Sequence, residues 1–109
     1  MTADDTLEVV LEGELDIATV DDAQSRVAAA ERRAPSLLVI DLSNLTFVDS
    51  SGVRVLLVAD DRARAAGRRL AVRLGTGPAL RVFAALGLVE RFEVLPPRRD
   101  GRTPDQAMD

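Results

Sequence analysis

The 109-residue sequence contains no cysteine and no histidine. Without thiols there is no disulfide framework and no thiolate chemistry. Without imidazole, the commonest general base and the commonest metal ligand are both missing. Lysine, tyrosine and tryptophan are absent too, and the only aromatics are Phe47, Phe83 and Phe92. All 14 bases are arginine, set against 18 acids for a net charge of −4. A nucleic-acid binder carries a clustered basic face and often stacking aromatics; neither is evident, so no direct nucleic-acid partner is expected. No apolar run approaches the roughly 20 residues of a membrane span. The start, Met1-Thr2-Ala3-Asp4-Asp5, is acidic where a signal peptide would be basic. A cytoplasmic location is therefore expected.

What is present is ordinary globular material: 47% hydrophobic residues, mostly valine, leucine and alanine. The length argues for one domain, able to bury roughly two thirds of its unfolded surface. Residues 1–5 read as a loose N-terminus, 6–96 as the domain, and 97–109 as a loose or partly helical tail.

Periodicity then places the elements. Leu7, Val9 and Leu11 alternate with Glu8, Val10 and Glu12, as in a strand with one buried face. Gly13-Glu14 is expected to interrupt it before Leu15-Asp16-Ile17. Thr19, with Asp21 and Asp22 close behind, marks a helix start, because acids suit the first turn of the helix dipole. That helix is expected from Val20 to Arg33, with Val20, Ala23, Val27 and Ala30 on one face. Leu37–Leu42 is nearly continuously apolar, the pattern of a strand covered on both faces. Ser43-Asn44 is expected to begin a loop, and Leu45–Val48 to return toward the core. A second helix runs from Ser51 to Ala66, stopped by Gly67. Arg69–Leu74 reads as a strand and Pro78 as the first position of a third helix ending at Gly87. Phe92–Leu95 is a short last strand. Strands alternating with helices predict an α/β domain, a mixed, mostly parallel sheet of about four to five strands with helices packed against it.

In such sheets functional groups gather where strand ends meet helix starts. Asp49-Ser50-Ser51-Gly52 lies at such a junction. From the residues alone, Ser50 is a plausible N-cap, its oxygen accepting a backbone N–H of the first turn. Catalysis is not indicated. Ser50 is not within Gly-x-Ser-x-Gly, no histidine exists to activate it, and no phosphate-cradling glycine loop is present. The acid pairs Asp21-Asp22 and Asp60-Asp61 read as solvent faces, and the Arg32-Arg33, Arg68-Arg69 and Arg98-Arg99 pairs as solvated element ends. No enzyme, cofactor or metal site is expected.

Three segments, in order, resemble the STAS-domain anti-sigma-factor antagonist family: Gly13–Thr19, Val39–Val53 with its Asp49-Ser50-Ser51-Gly52, and Val82–Leu88 through Phe92. Together they span about residues 7–95. The resemblance implies a non-enzymatic switch whose partner is an anti-sigma factor with serine kinase activity. That kinase would supply ATP and Mg²⁺, and would phosphorylate the serine directly after the aspartate. Carried over, the phosphoacceptor is Ser50, with Ser51 as the competing hydroxyl, and a phosphatase acting on phospho-Ser50 would reset the switch. Asp16 and Asp49 would lie on the partner-facing surface beside Ser51 and Gly52. For Asp16, a turn-forming or capping role is the alternative; Thr19 leans toward a cap. Gly52 would allow close approach of a partner, or simply of the chain to itself. Relatives often carry a small residue where Arg54 stands. Four residues after Ser50, it shares that helical face and could pair with Asp49, with a phosphate on Ser50, or with solvent alone. Helix two, with Val53, Val55, Leu56, Leu57, Val58 and Ala59, is more apolar than one core stripe requires; either a partner or the domain covers the excess. A STAS module that docks as a scaffold or ligand sensor, without phosphorylation, is the alternative function.

Overall fold

A computed structural model describes residues 5–97. Its elements are β1 (Thr6–Leu15), α1 (Val20–Arg32), β2 (Leu37–Val48), α2 (Ser50–Ala66), β3 (Arg69–Arg73), α3 (Pro78–Ala85) and β4 (Glu93–Val94). The expected tail falls outside the described residues except for Pro97, as do residues 1–4.

The four strands form one sheet in the order β1-β2-β3-β4, and every pair is parallel. No antiparallel pair occurs among the described residues, so the expected mixture of directions is not found. Each strand steps to its neighbour on the same side through a helix. Right-handed crossovers repeated in one direction put successive helices on one face of the sheet. Accordingly, Leu38, Ile40 and Leu42 of β2 and Leu70 and Val72 of β3 join Val27 of α1, Leu56 of α2 and Phe83 of α3 in one core. Each such valine or leucine side chain, fully buried, contributes about 1.5–3 kcal/mol. Phe83 and Phe92 extend this core toward β4, with ring centroids 5.5 Å apart.

On the other face, Val39, Asp41 and Ala71 are buried as well. Asp41 Oδ1 accepts from the backbone N–H of Ser43 at 2.9 Å and from its hydroxyl at 2.6 Å. Glu8 of β1 reaches across to Arg73 of β3 at 3.1 Å. The continuous apolar run of β2 is thus the run of an interior strand buried on both faces, as its sequence predicts.

Two expected breaks are instead continuous strands. Gly13 does not end β1; it adopts a positive φ of 79° at a register shift, and the strand continues to Leu15. A glycine in this conformation accommodates a bulge without ending the pairing. Ser43-Asn44 likewise does not open a loop, because Asn44, Leu45, Phe47 and Val48 still pair with β1. Alternation fails across a bulge, which is why one strand reads as two pieces. The helix and strand ends otherwise fall within two residues of expectation.

The acid pair on α2 also differs from its reading. Asp61 is exposed, but Asp60 is buried and meets Arg64 at 2.9 Å and Arg91 at 3.3 Å. Arg91 also meets Asp61 at 3.0 Å. These contacts tie the segment before β4 to α2.

Candidate functional site

The C-terminal ends of β1 and β2 lie side by side, with Leu15 opposite Val48. Asp49 N–H donates to the Leu15 carbonyl at 3.2 Å, which holds the start of α2 against the end of β1. The turn from β1 to α1 and the start of α2 therefore share one edge of the molecule.

Asp49, not Ser50, caps α2. Its Oδ1 accepts from the N–H of Ser51 at 2.9 Å and of Gly52 at 3.3 Å. Asp49 has extended backbone angles, as a cap requires, while Ser50 is the first helical residue. The expected serine cap is thus displaced by one position. The consequence is chemical: Ser50 is exposed and its hydroxyl has no hydrogen-bond partner among the described residues. Ser51 is half-buried behind it.

Gly52 is buried, and its position has an intramolecular reason. A Cβ there would lie 2.6 Å from Leu15 Cγ and 3.0 Å from the Leu15 carbonyl oxygen. Close packing of α2 on the end of β1 thus requires glycine, independently of any partner.

Asp16 is engaged in its own turn. Its Oδ1 accepts from the N–H of Ala18 at 2.9 Å and of Thr19 at 3.2 Å. Thr19 stands at the N-cap position of α1, yet its side chain makes no capping bond. Its hydroxyl instead accepts from Asp16 N–H at 3.0 Å and donates to the Glu14 carbonyl at 2.8 Å. Together these bonds lock the turn and display Ile17, which is 77% exposed, at its tip. Sequence reasoning missed Ile17; the signal available was an apolar residue enclosed by turn-formers.

Arg54 is exposed and forms no ion pair among the described residues, so of the three alternatives the pairing with Asp49 is not made. It lines an open groove of about 570 Å³. Val53 and Leu57 of α2 form one wall and Leu86 and Leu88, after α3, the other, with Ser50, Ser51 and Arg54 along it. The excess apolarity of α2 is therefore divided. Val53, Val55, Leu56 and Ala59 are buried in the domain, Val58 lies at the surface, and Leu57 borders the groove. Leu86 was not singled out as a site residue; its exposure follows from the turn after α3, which periodicity alone does not resolve.

The family model described as "Mlab, STAS domain" matches residues 2–96. The chain belongs to the STAS domain family. Solved STAS-like structures agree with its fold. An anti-sigma factor antagonist from Mycobacterium paratuberculosis is 26% identical, with a TM-score of 0.73 over 96% of this chain and 84% of that one. The anti-sigma factor antagonist SpoIIAA in its unphosphorylated form is 24% identical, with a TM-score of 0.70 over 100% and 90%. The phosphorylated form of SpoIIAA, from Bacillus, is likewise 24% identical, with a TM-score of 0.65 over 100% and 93%. Among the described residues of this STAS domain, no cluster of three metal-ligating side chains occurs, and no helix is long and apolar enough to cross a membrane.

Proposed function

We propose that this STAS domain is an anti-sigma-factor antagonist controlled at Ser50. When unmodified, it binds an anti-sigma factor with serine kinase activity and so frees the sigma factor. Phosphorylation of Ser50 ends that binding, and a phosphatase restores it. The observation that carries the reading is the exposed Ser50 hydroxyl, free of capping duty because Asp49 caps the helix. The likeness to an antagonist at 26% identity supports the choice of partner.

The chain acts here as substrate. The Ser50 Oγ attacks the γ-phosphorus of ATP, the bond to the ADP oxygen breaks, and the hydroxyl proton passes to a base on the kinase. ATP, Mg²⁺ and the base are all supplied by the partner kinase in this reading. The location proposed for this exchange is the cytoplasm.

The product adds about −1.5 to −2 charges and three acceptor oxygens. A helix N-terminus tolerates an anion, so the domain itself stays folded. The penalty falls on the interface, where the phosphate sits next to Asp49 and must be desolvated against the partner. Such like-charge contacts cost several kcal/mol, and each 1.4 kcal/mol is tenfold in affinity.

The test is co-purification from the source cells with phosphosite mapping of bound and free pools, followed by affinity measurements on variants. Wild type and Ser50→Ala should bind the anti-sigma factor, and Ser50→Asp should bind it at least tenfold more weakly. Phosphate on Ser51 in place of Ser50, or equal affinity for all three forms, would overturn the assignment.

A second reading is docking without phosphorylation, for which membership of the STAS domain family is enough. Incubation with ATP and the co-purified kinase separates the two: an intact mass without added phosphate supports docking alone.

A further inference from the structure

Resting on the proposed function, we infer that the groove between α2 and the Leu86–Leu88 turn is where the anti-sigma factor docks. It does so by inserting an apolar side chain while a neighbouring carboxylate of the partner pairs with Arg54.

Leu86 is 54% exposed although it follows directly on α3. Leu57 and Leu88, facing the same groove, are only partly buried. Apolar area left in water forgoes about 25 cal/mol per Å², and covering it with a partner's side chain recovers that term.

The groove is also built in advance. Leu88 N–H donates to the Phe83 carbonyl at 2.8 Å, closing the turn after α3. Arg91 N–H donates to the Leu88 carbonyl at 3.0 Å, and its guanidinium holds Asp60 and Asp61 of α2. Both walls are therefore fixed to each other before a partner arrives, which lowers the ordering cost of binding.

Charge complementarity identifies the occupant. Among the described residues, Arg54 is the only charged one lining the groove, in a chain whose net charge is −4. An unpaired guanidinium at the edge of an apolar slot selects a planar carboxylate by two parallel hydrogen bonds. Ser50 lines the same groove, so a partner seated there has the hydroxyl within its interface. A phosphate on Ser50 acts on the groove in two ways. It repels the incoming carboxylate, and it draws Arg54, one helical turn away, into an intrahelical pair.

The test uses the serine-kinase anti-sigma factor co-purified with the full chain. Leu86→Glu and Arg54→Glu should each weaken binding at least tenfold, as truncated or reversed central contacts do. Both side chains are exposed, so thermal unfolding should show both variants folded. Acid-to-lysine changes in the partner should include one that restores Arg54→Glu and not Leu86→Glu. Binding by both variants within twofold of wild type, with Ser50→Asp still impaired, would move docking elsewhere and leave the proposed function standing. Self-association of the wild type abolished by Leu86→Glu would make a second copy the occupant and overturn the inference. Failure of the wild type itself to bind any such kinase would overturn the proposed function, and the inference with it.

Discussion

Asp49 Oδ1 accepts the backbone N–H of Ser51 at 2.9 Å, and this bond leaves the intervening Ser50 hydroxyl free. The cap read at Ser50 belongs to its neighbour, and the two residues divide the work: the acid holds the helix and the serine faces outward. Asp49→Ala should destabilise the domain by about 1 kcal/mol, and Asp49→Asn by much less, since asparagine caps about as well. Ser50→Ala should stay within about 0.5 kcal/mol, as an exposed substitution. Urea unfolding midpoints of the three variants check this. A loss at Ser50→Ala equal to that at Asp49→Ala would return the cap to Ser50.

Gly52 and Leu15 meet where α2 crosses the end of β1. Alanine in place of glycine inside a helix ordinarily gains about 1 kcal/mol. Here the added methyl would lie 2.6 Å from Leu15 Cγ, and overpacking costs typically 1–3 kcal/mol. Gly52→Ala should therefore destabilise on balance, measured by the same unfolding curves. In the background of Leu15→Ala, which empties the contact, Gly52→Ala should lose less or even stabilise. The double-mutant cycle gives the coupling directly.

Much of this was legible in the residues. Parallel architecture followed from the buried run of β2 and its flanking helices, and the junction at Asp49-Ser50 followed from the change of period there. What sequence could not resolve were choices made by tertiary contact. The cap passed to Asp49 because its backbone N–H is fixed on Leu15, thirty-odd positions away in the chain. Asp60 became interior because Arg91 arrives from beyond α3. The groove joins residues of α2 to a turn after α3, and no local pattern announces such a meeting. The bulge at Gly13 hid the continuity of β1 for the opposite reason: the signal was local and strong, but glycine marks bulges as well as ends.

Phosphoserine introduced at position 50 should leave the fold intact. The helix N-terminus stabilises an anion by about 0.3–1 kcal/mol, and Arg54 adds a cation one turn along. Both favour the dianion while the adjacent Asp49 opposes it; with two favourable contacts against one, the second phosphate pKa in the folded chain should lie below its unfolded value of about 6. A depressed folded value means stability that is fully present above the unfolded pKa and lost as pH falls through the folded one. Phosphorus NMR titration checks the direction, and Arg54→Gln should move the value upward. A midpoint unaffected by Arg54→Gln would show that the guanidinium does not reach the phosphate.

Asp60 and Arg91 provide the last test, because they join the two walls of the groove. The Asp60 side chain is 8% exposed and accepts from Arg64 at 2.9 Å, whereas that of Asp61, its neighbour, is 70% exposed. An exposed ion pair is worth about 0–1 kcal/mol, so Asp61→Ala should be nearly silent. Asp60→Ala removes the buried acceptor shared by two arginines and should cost about 1–3 kcal/mol. It should also loosen the segment that Arg91 anchors. Hydrogen exchange at the Leu88 and Arg91 amides should then speed up more than exchange in β2, which lies in the core. Uniform acceleration through the whole domain would mean that Asp60 contributes only global stability, and that the groove wall does not depend on it.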